Sequence, residues 1–171
     1  VEALGPLNGS VVGVDSANGR VLTMVNQRLA LSNGYQPCST IKVPVALAAL
    51  SEGIIDHDDT KVKIGRRARM DLTEALARSN NPYFAVLGTQ LGYERMNHYA
   101  RLFGLGEKAG LDIAGEQPGH WPGAPPKVGG MGMLTSYGEE IQLTPLQLAA
   151  IMAAVANGGT LYYLQYPRTQ L

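Results

Sequence analysis

Ser39 and Lys42 stand three residues apart at the head of STIKVPVALAALSEG, an Ala/Leu-rich run that reads as a buried helix. That spacing puts both side chains on one helix face, within reach of each other. A serine hydroxyl becomes a useful nucleophile only beside a base, and a lysine amine serves near neutral pH when desolvation or a neighbouring cation lowers its pKa. An oriented pair of this kind can attack an acyl carbonyl. Alone, the spacing is a weak signal, because an Ala/Leu-rich helix contains it by chance. A second candidate is Ser79-Asn80-Asn81, where DLTEALARS runs into Pro82. Residues before proline avoid the helical region, so the triplet marks a helix-to-turn transition whose hydroxyl and carboxamide groups can face a cleft. Ser and Asn are also ordinary turn residues, and by itself this triplet reads as structural.

Several elements must position these groups. SVVGVD and RVLTMV flank Ser16-Ala17-Asn18-Gly19, two β-branched runs around an Asn-Gly turn, which predicts a β-hairpin. Pro44 is tolerated only in the first turn of a helix, so the helix that carries Lys42 begins close to Ser39. PYFAVLGTQLG and ERMNHYARLFG have helical apolar spacing and stop at glycines, which predicts two core helices. Residues 110–138 are dense in Gly and Pro and hold the single Trp, so they read as a long irregular excursion with Trp121 as its anchor. TPLQLAAIMAAVANGG predicts a last helix with Thr144 as N-cap, Pro145 at its first position and Asn157-Gly158 as its stop.

The composition narrows the field. A chain of 171 residues is long enough for one domain, and 45% hydrophobic with 16% charged residues describes a globular chain, with 21 Gly and 10 Pro implying many turns. Fourteen basic residues balance fourteen acidic ones, so no global field favours nucleic acid or an anionic membrane. The longest apolar stretches fall short of the roughly 18 residues a membrane-spanning helix needs. Cys38 is the only cysteine, so no intrachain disulfide forms, and its expected role is packing. His57, His98 and His120 lack ligand spacing, so neither a metal nor another cofactor is expected. The basic run from Lys61 to Arg69 lacks interleaved aromatics and reads as a solvated loop rather than a nucleic-acid site.

The two weak motifs gain weight together, because Ser-x-x-Lys with a later Ser-x-Asn is the pairing of penicillin-binding proteins and serine β-lactamases. GYQPCSTIKVPVALAAL resembles the family's segment around its nucleophile, and LTEALARSNNPYF resembles its second-motif segment. FGLGEKAGLDIAGEQPG is similar to the Gly-rich stretch that follows, and GEEIQLTPLQLAAIMAAVANGGTLY to the helix preceding the third motif in transpeptidases. The order of the four segments covers nearly the whole chain.

The resemblance implies an α+β fold of the penicillin-binding protein/serine β-lactamase type: an antiparallel sheet flanked by helices, with an all-helical lobe. By position, it makes Ser39 the residue that forms the acyl-enzyme, Lys42 its general base, Ser79 a proton relay towards the leaving amine, and Asn81 the group that binds the substrate's amide. The Ser39 backbone N–H would give half of an oxyanion hole. The implied activity is a D,D-transpeptidase acting on peptidoglycan stem peptides and acylated by β-lactam antibiotics, at the extracytoplasmic face of the bacterial cell envelope in a membrane-anchored parent. A serine β-lactamase-like hydrolase and a non-catalytic β-lactam-binding scaffold are the alternatives.

Two departures from the family pattern qualify this. Cys38 stands where the family usually has Gly, and the chain reaches Leu171 without the downstream Lys-Thr-Gly. The resemblance thus makes residues 1–171 the N-terminal two-thirds of a transpeptidase domain, weak or inactive alone. The hairpin edge is expected to pair with a second chain or with the C-terminal segment, or to be supported by helices alone.

Overall fold

In the computed structural model, which describes residues 4–166, the chain divides into two units. The first comprises the chain up to Tyr35, Phe103–His120, and the chain from Gln142. The second comprises Gln36–Leu102 and Trp121–Ile141.

In the first unit, β1 (Val11–Asp15) and β2 (Arg20–Val25) form the expected antiparallel hairpin, with a bulge between Gly13 and Val14. A short helix α1 (Gln27–Ala30) follows. Helix α6 (Pro145–Ala156) starts as expected at Thr144, whose hydroxyl accepts from Gln147 N–H while the Gln147 side chain accepts from Thr144 N–H, a reciprocal capping box. Val21, Ile113, Leu146, Ala150 and Leu164 make the core, so the hairpin gains support from α6. Part of its edge is also paired from within the chain: Val21 N–H donates to Gln165 O at 2.8 Å, and Gln165 N–H to Gly19 O at 3.0 Å. The expectation of an edge left for another chain or for helices alone is corrected for β2 by this parallel bridge. The bridging segment is itself held on its other side, Leu111 N–H donating to Leu164 O and Leu164 N–H to Ala109 O, both at 2.7 Å. Glu116, only 1% exposed, accepts from the N–H groups of Ala109 and Gly110.

The second unit is mainly helical but carries one small two-stranded sheet, where the resemblance implied an all-helical lobe. A 3-10 turn (Cys38–Ile41) leads into α2 (Lys42–Ser51), then β3 (Val62–Lys63), β4 (Arg69–Met70), α3 (Leu72–Ala77), α4 (Asn81–Leu102) and α5 (Gly130–Tyr137). Pro44 sits in the first turn of α2, as its missing N–H requires. The two core helices predicted from sequence both lie within α4 and part where the first was expected to stop, at Gly92, whose φ 72° and ψ 169° are not helical. The basic run is more ordered than a loop: Val62 pairs with Met70, both buried inwards, and Lys63 lies opposite Arg69 on the exposed face. Trp121 anchors its stretch as expected, buried and donating Nε1–H to Asn97 Oδ1 at 2.9 Å.

The irregular excursion contains a helix the sequence reading did not predict, α5. It crosses α4 at Gly88, where any Cβ would collide with the Thr135 side chain, so glycine there permits a close helix–helix approach. Ile41, Val45, Ala48, Phe84, Leu87 and Leu134, all fully buried, fill the space among α2, α4 and α5.

Candidate active site

The second unit brings the four residues singled out from sequence together on three short segments. Ser39 lies exposed on the 3-10 turn, which is stabilised at its start by Pro37 O accepting from Thr40 N–H (3.1 Å) and from the Thr40 hydroxyl (2.7 Å). Its neighbour Cys38 takes a left-handed conformation, φ 49°, with an exposed thiol. The packing role expected for Cys38 is therefore corrected: its side chain is exposed, and it stands in the turn at a positive φ.

Ser79 follows α3 at the left-handed position that ends a helix, also at φ 49°. Its N–H donates to Leu76 O at 3.0 Å and Asn80 N–H to Ala75 O at 2.8 Å, a pairing in which glycine is the usual left-handed residue. The Asn80 side chain then accepts from Tyr83 N–H at 2.9 Å and so caps α4. Pro82 falls in the first turn of α4, where its lost N–H costs nothing. The middle Asn of the triplet is therefore a cap, and its two neighbours face the site.

Lys42 is the hub. It is 1% exposed, and its Nζ lies 2.7 Å from Ser79 O, 2.9 Å from Ser79 Oγ, 2.6 Å from Asn81 Oδ1 and 3.2 Å from Ser39 Oγ. The hydroxyls of Ser39 and Ser79 are 2.8 Å apart, so the two serines and the lysine form a closed triangle. Phe84, fully buried one turn along α4 from Asn81, presents its ring 5.5 Å from the ammonium. Burial holds the Lys42 amine below its ordinary value of 10.5. The arrangement can pass a proton from one hydroxyl to an amine whose basicity burial has lowered, which is the chemistry of an activated serine.

Sequence reasoning missed Phe84 as part of the site. Its position three residues after Asn81 on the same helix was the available signal. Among the described residues, no group of three or more His, Cys, Asp or Glu could hold a metal ion, and no helix is long and apolar enough to cross a membrane.

The family described as penicillin binding protein transpeptidase domain matches residues 9–169. Stage V sporulation protein D of Bacillus subtilis is 31% identical over 186 residues, covering 94% of this chain and 28% of that protein. Peptidoglycan D,D-transpeptidase MrdA of Acinetobacter baumannii is 30% identical over 157 residues, 77% of this chain and 23% of that protein. The crystal structure of Pseudomonas aeruginosa PBP2 in complex with WCK 5153 superposes with a TM-score of 0.80 at 26% identity, covering 93% of this chain and 49% of that one. The chain thus spans 28% and 23% of the lengths of these two curated relatives. With the family match running from residue 9 to residue 169 and the fold shared with solved members, the chain belongs to the penicillin-binding protein transpeptidase family, whose members build peptidoglycan.

Proposed function

We propose that this chain supplies the acylating machinery of a peptidoglycan D,D-transpeptidase. Ser39 Oγ attacks the carbonyl between the two terminal D-Ala residues of a stem peptide. The new bond is the ester to Ser39, the broken one is the peptide C–N, and the serine proton ends on the departing D-Ala amine. An amine of a second stem peptide then takes the acyl group and restores the serine. A β-lactam follows the first step, but its leaving amine stays tethered, so the acyl-enzyme persists.

The observation that carries this reading is the set of contacts around Lys42. Ser79 O and Asn81 Oδ1 are pure acceptors, at 2.7 and 2.6 Å. A neutral amine has two N–H groups and one lone pair. With both N–H groups directed at these carbonyls, the lone pair is left for the hydroxyl of Ser39 at 3.2 Å or of Ser79 at 2.9 Å. Lys42 therefore acts as general base, either directly or through Ser79, and Ser79 returns the proton to the leaving amine. Asn81, with its oxygen on Lys42, keeps its N–H groups for the substrate's amide carbonyl. Ser39 N–H serves as one oxyanion donor, a contribution of about 3–4 kcal/mol in well-formed sites.

On this reading, residues 1–171 are the N-terminal two-thirds of a transpeptidase domain. The hairpin β1–β2 with α6 opens its helix-flanked antiparallel sheet, and α2 to α5 form its helical lobe. The protein works at the extracytoplasmic face of the bacterial envelope, on stem peptides and β-lactams. The test is covalent labelling of the full-length protein by a fluorescent penicillin. Ser39→Ala should abolish the label and Cys38→Ala should retain it. A label that survives Ser39→Ala and disappears in Cys38→Ala overturns the assignment. Rapid turnover of the label would instead indicate a β-lactamase-like hydrolase.

A further inference from the structure

The last three residues of helix α5 and the Gly138 that caps it touch both segments that carry the site. Thr135 is buried, and its Oγ1 lies 2.7 Å from Met131 O and 2.9 Å from Phe84 O. Ser136, 1% exposed, donates its hydroxyl to the Asn81 carbonyl at 2.9 Å. The Tyr137 carbonyl accepts from Gln36 Nε2 at 3.0 Å, and the same nitrogen lies 3.3 Å from Glu139 Oε2. Gly138, at φ 68°, presses on Pro37 so closely that a Cβ would stand 2.5 Å from Pro37 Cγ. The last turn of α5 and its cap are thereby fastened on one side to the first turn of α4, which bears Asn81 and Phe84, and on the other to the turn that bears Ser39.

Ser136 is the informative member. A serine within a helix usually turns its hydroxyl to the carbonyl four residues back, as Thr135 does to Met131. Ser136 instead donates to the backbone of the very residue whose side chain holds Lys42. We propose that Ser136 is a positioning residue for acylation: by fixing the Asn81 backbone it keeps Asn81 Oδ1 at 2.6 Å from Lys42 Nζ and so orients the lysine lone pair towards Ser39 and Ser79. It touches neither substrate nor the reacting atoms.

This inference rests on the proposed acylation at Ser39. It is tested by measuring the rate of penicillin acylation as a function of pH in the full-length protein and in Ser136→Ala, Ser136→Cys and Ser136→Thr. Loss of the hydroxyl in Ser136→Ala should slow acylation on the order of tenfold, the scale expected when a catalytic group is displaced by a fraction of an ångström. The acid limb should also move to lower pH, because Lys42 loses an acceptor that favours its charged form. Ser136→Thr, which keeps the hydroxyl, should restore the limb; Ser136→Cys, close to serine in size but a weak donor, should behave as alanine does, and stands in for it should Ser136→Ala fail to unfold cooperatively. A folded Ser136→Ala or Ser136→Cys protein with the wild-type rate and the wild-type limb overturns the positioning role and leaves acylation at Ser39 standing. A wild-type protein that takes no label at Ser39 overturns both.

Discussion

Ser79 sits where a glycine would be most comfortable, and this gives a measurement that separates backbone from side-chain roles. At φ 49° a residue with a Cβ is strained, by roughly 1–2 kcal/mol against the right-handed region. Ser79→Gly removes that strain but also gives the unfolded chain more freedom, which returns about 0.4–1 kcal/mol. The central values leave glycine ahead of alanine at this position by about 0.8 kcal/mol, or roughly 2–3 °C in Tm for a domain of this size. Both variants lose the same hydroxyl, and with it the 2.8 Å contact to Ser39 and the 2.9 Å contact to Lys42. Differential scanning calorimetry should therefore rank Ser79→Gly above Ser79→Ala in stability, while penicillin acylation falls about equally in both, by about 10²–10⁴ if Ser79 carries the proton. The reasoning is refuted if alanine is as stable as glycine, which would mean no strain is held there, or if Ser79→Gly acylates at the wild-type rate.

Four further outcomes are expected. Lys42→Ala should slow acylation by about 10²–10⁴. In the wild-type protein the free amine is the active form, so the rate should fall as pH falls through a midpoint below the ordinary lysine value of 10.5; a stopped-flow pH profile with its midpoint at or above that value would count against Lys42 as the base. Cys38→Gly should raise stability by about 0.5–1 kcal/mol in chemical denaturation, by the same left-handed strain, and no gain would mean the turn relaxes around a Cβ. Tyr83 has a fully buried hydroxyl without a hydrogen-bond partner, and burial pushes its pKa up to about 12. Tyr83→Phe should accordingly be neutral or stabilising by about 1 kcal/mol at pH 7. A raised folded pKa gives stability that is present below the ordinary 10.0 and lost as pH rises towards about 12, so the phenylalanine variant should lack that alkaline loss.

Local signals made much of the fold readable. Asn18-Gly19 between β-branched runs specified the hairpin, and Thr144, Pro145 and Asn157 specified α6 from both ends. Ser39 and Lys42 were legible because their separation is local, and their link to Ser79 and Asn81 became so only through the pairing of two motifs. Helix α5 was hidden because GMGMLTSY begins with glycines that count against a helix, whereas its formation depends on Gly88 of α4 admitting Thr135. The left-handed backbone at Cys38 and Ser79 was invisible for the opposite reason: glycine advertises such a conformation, and neither residue is glycine. Phe84 has the periodicity of any core residue, and only its place three residues after Asn81 set the ring near Lys42 apart from those elsewhere.

The bridge between β2 and Gln165 bears on how this chain is made. Val21 N–H must wait for a carbonyl 144 positions later in the sequence, the distance from residue 21 to residue 165. At a bacterial elongation rate of about 5–20 residues per second, that is an interval of about 7–29 s after Val21 is added. The second unit, whose last residue is Ile141, is complete in sequence before then, while the first still lacks α6 and the bridging segment. Among the described elements the hairpin is thus synthesised first and covered among the last, an isolated two-stranded ribbon of the kind that is marginal in water and prone to pair with the wrong partner. Nascent chains arrested before residue 164 should therefore bind holdase chaperones through residues 11–25, and release them once Gln165 has docked.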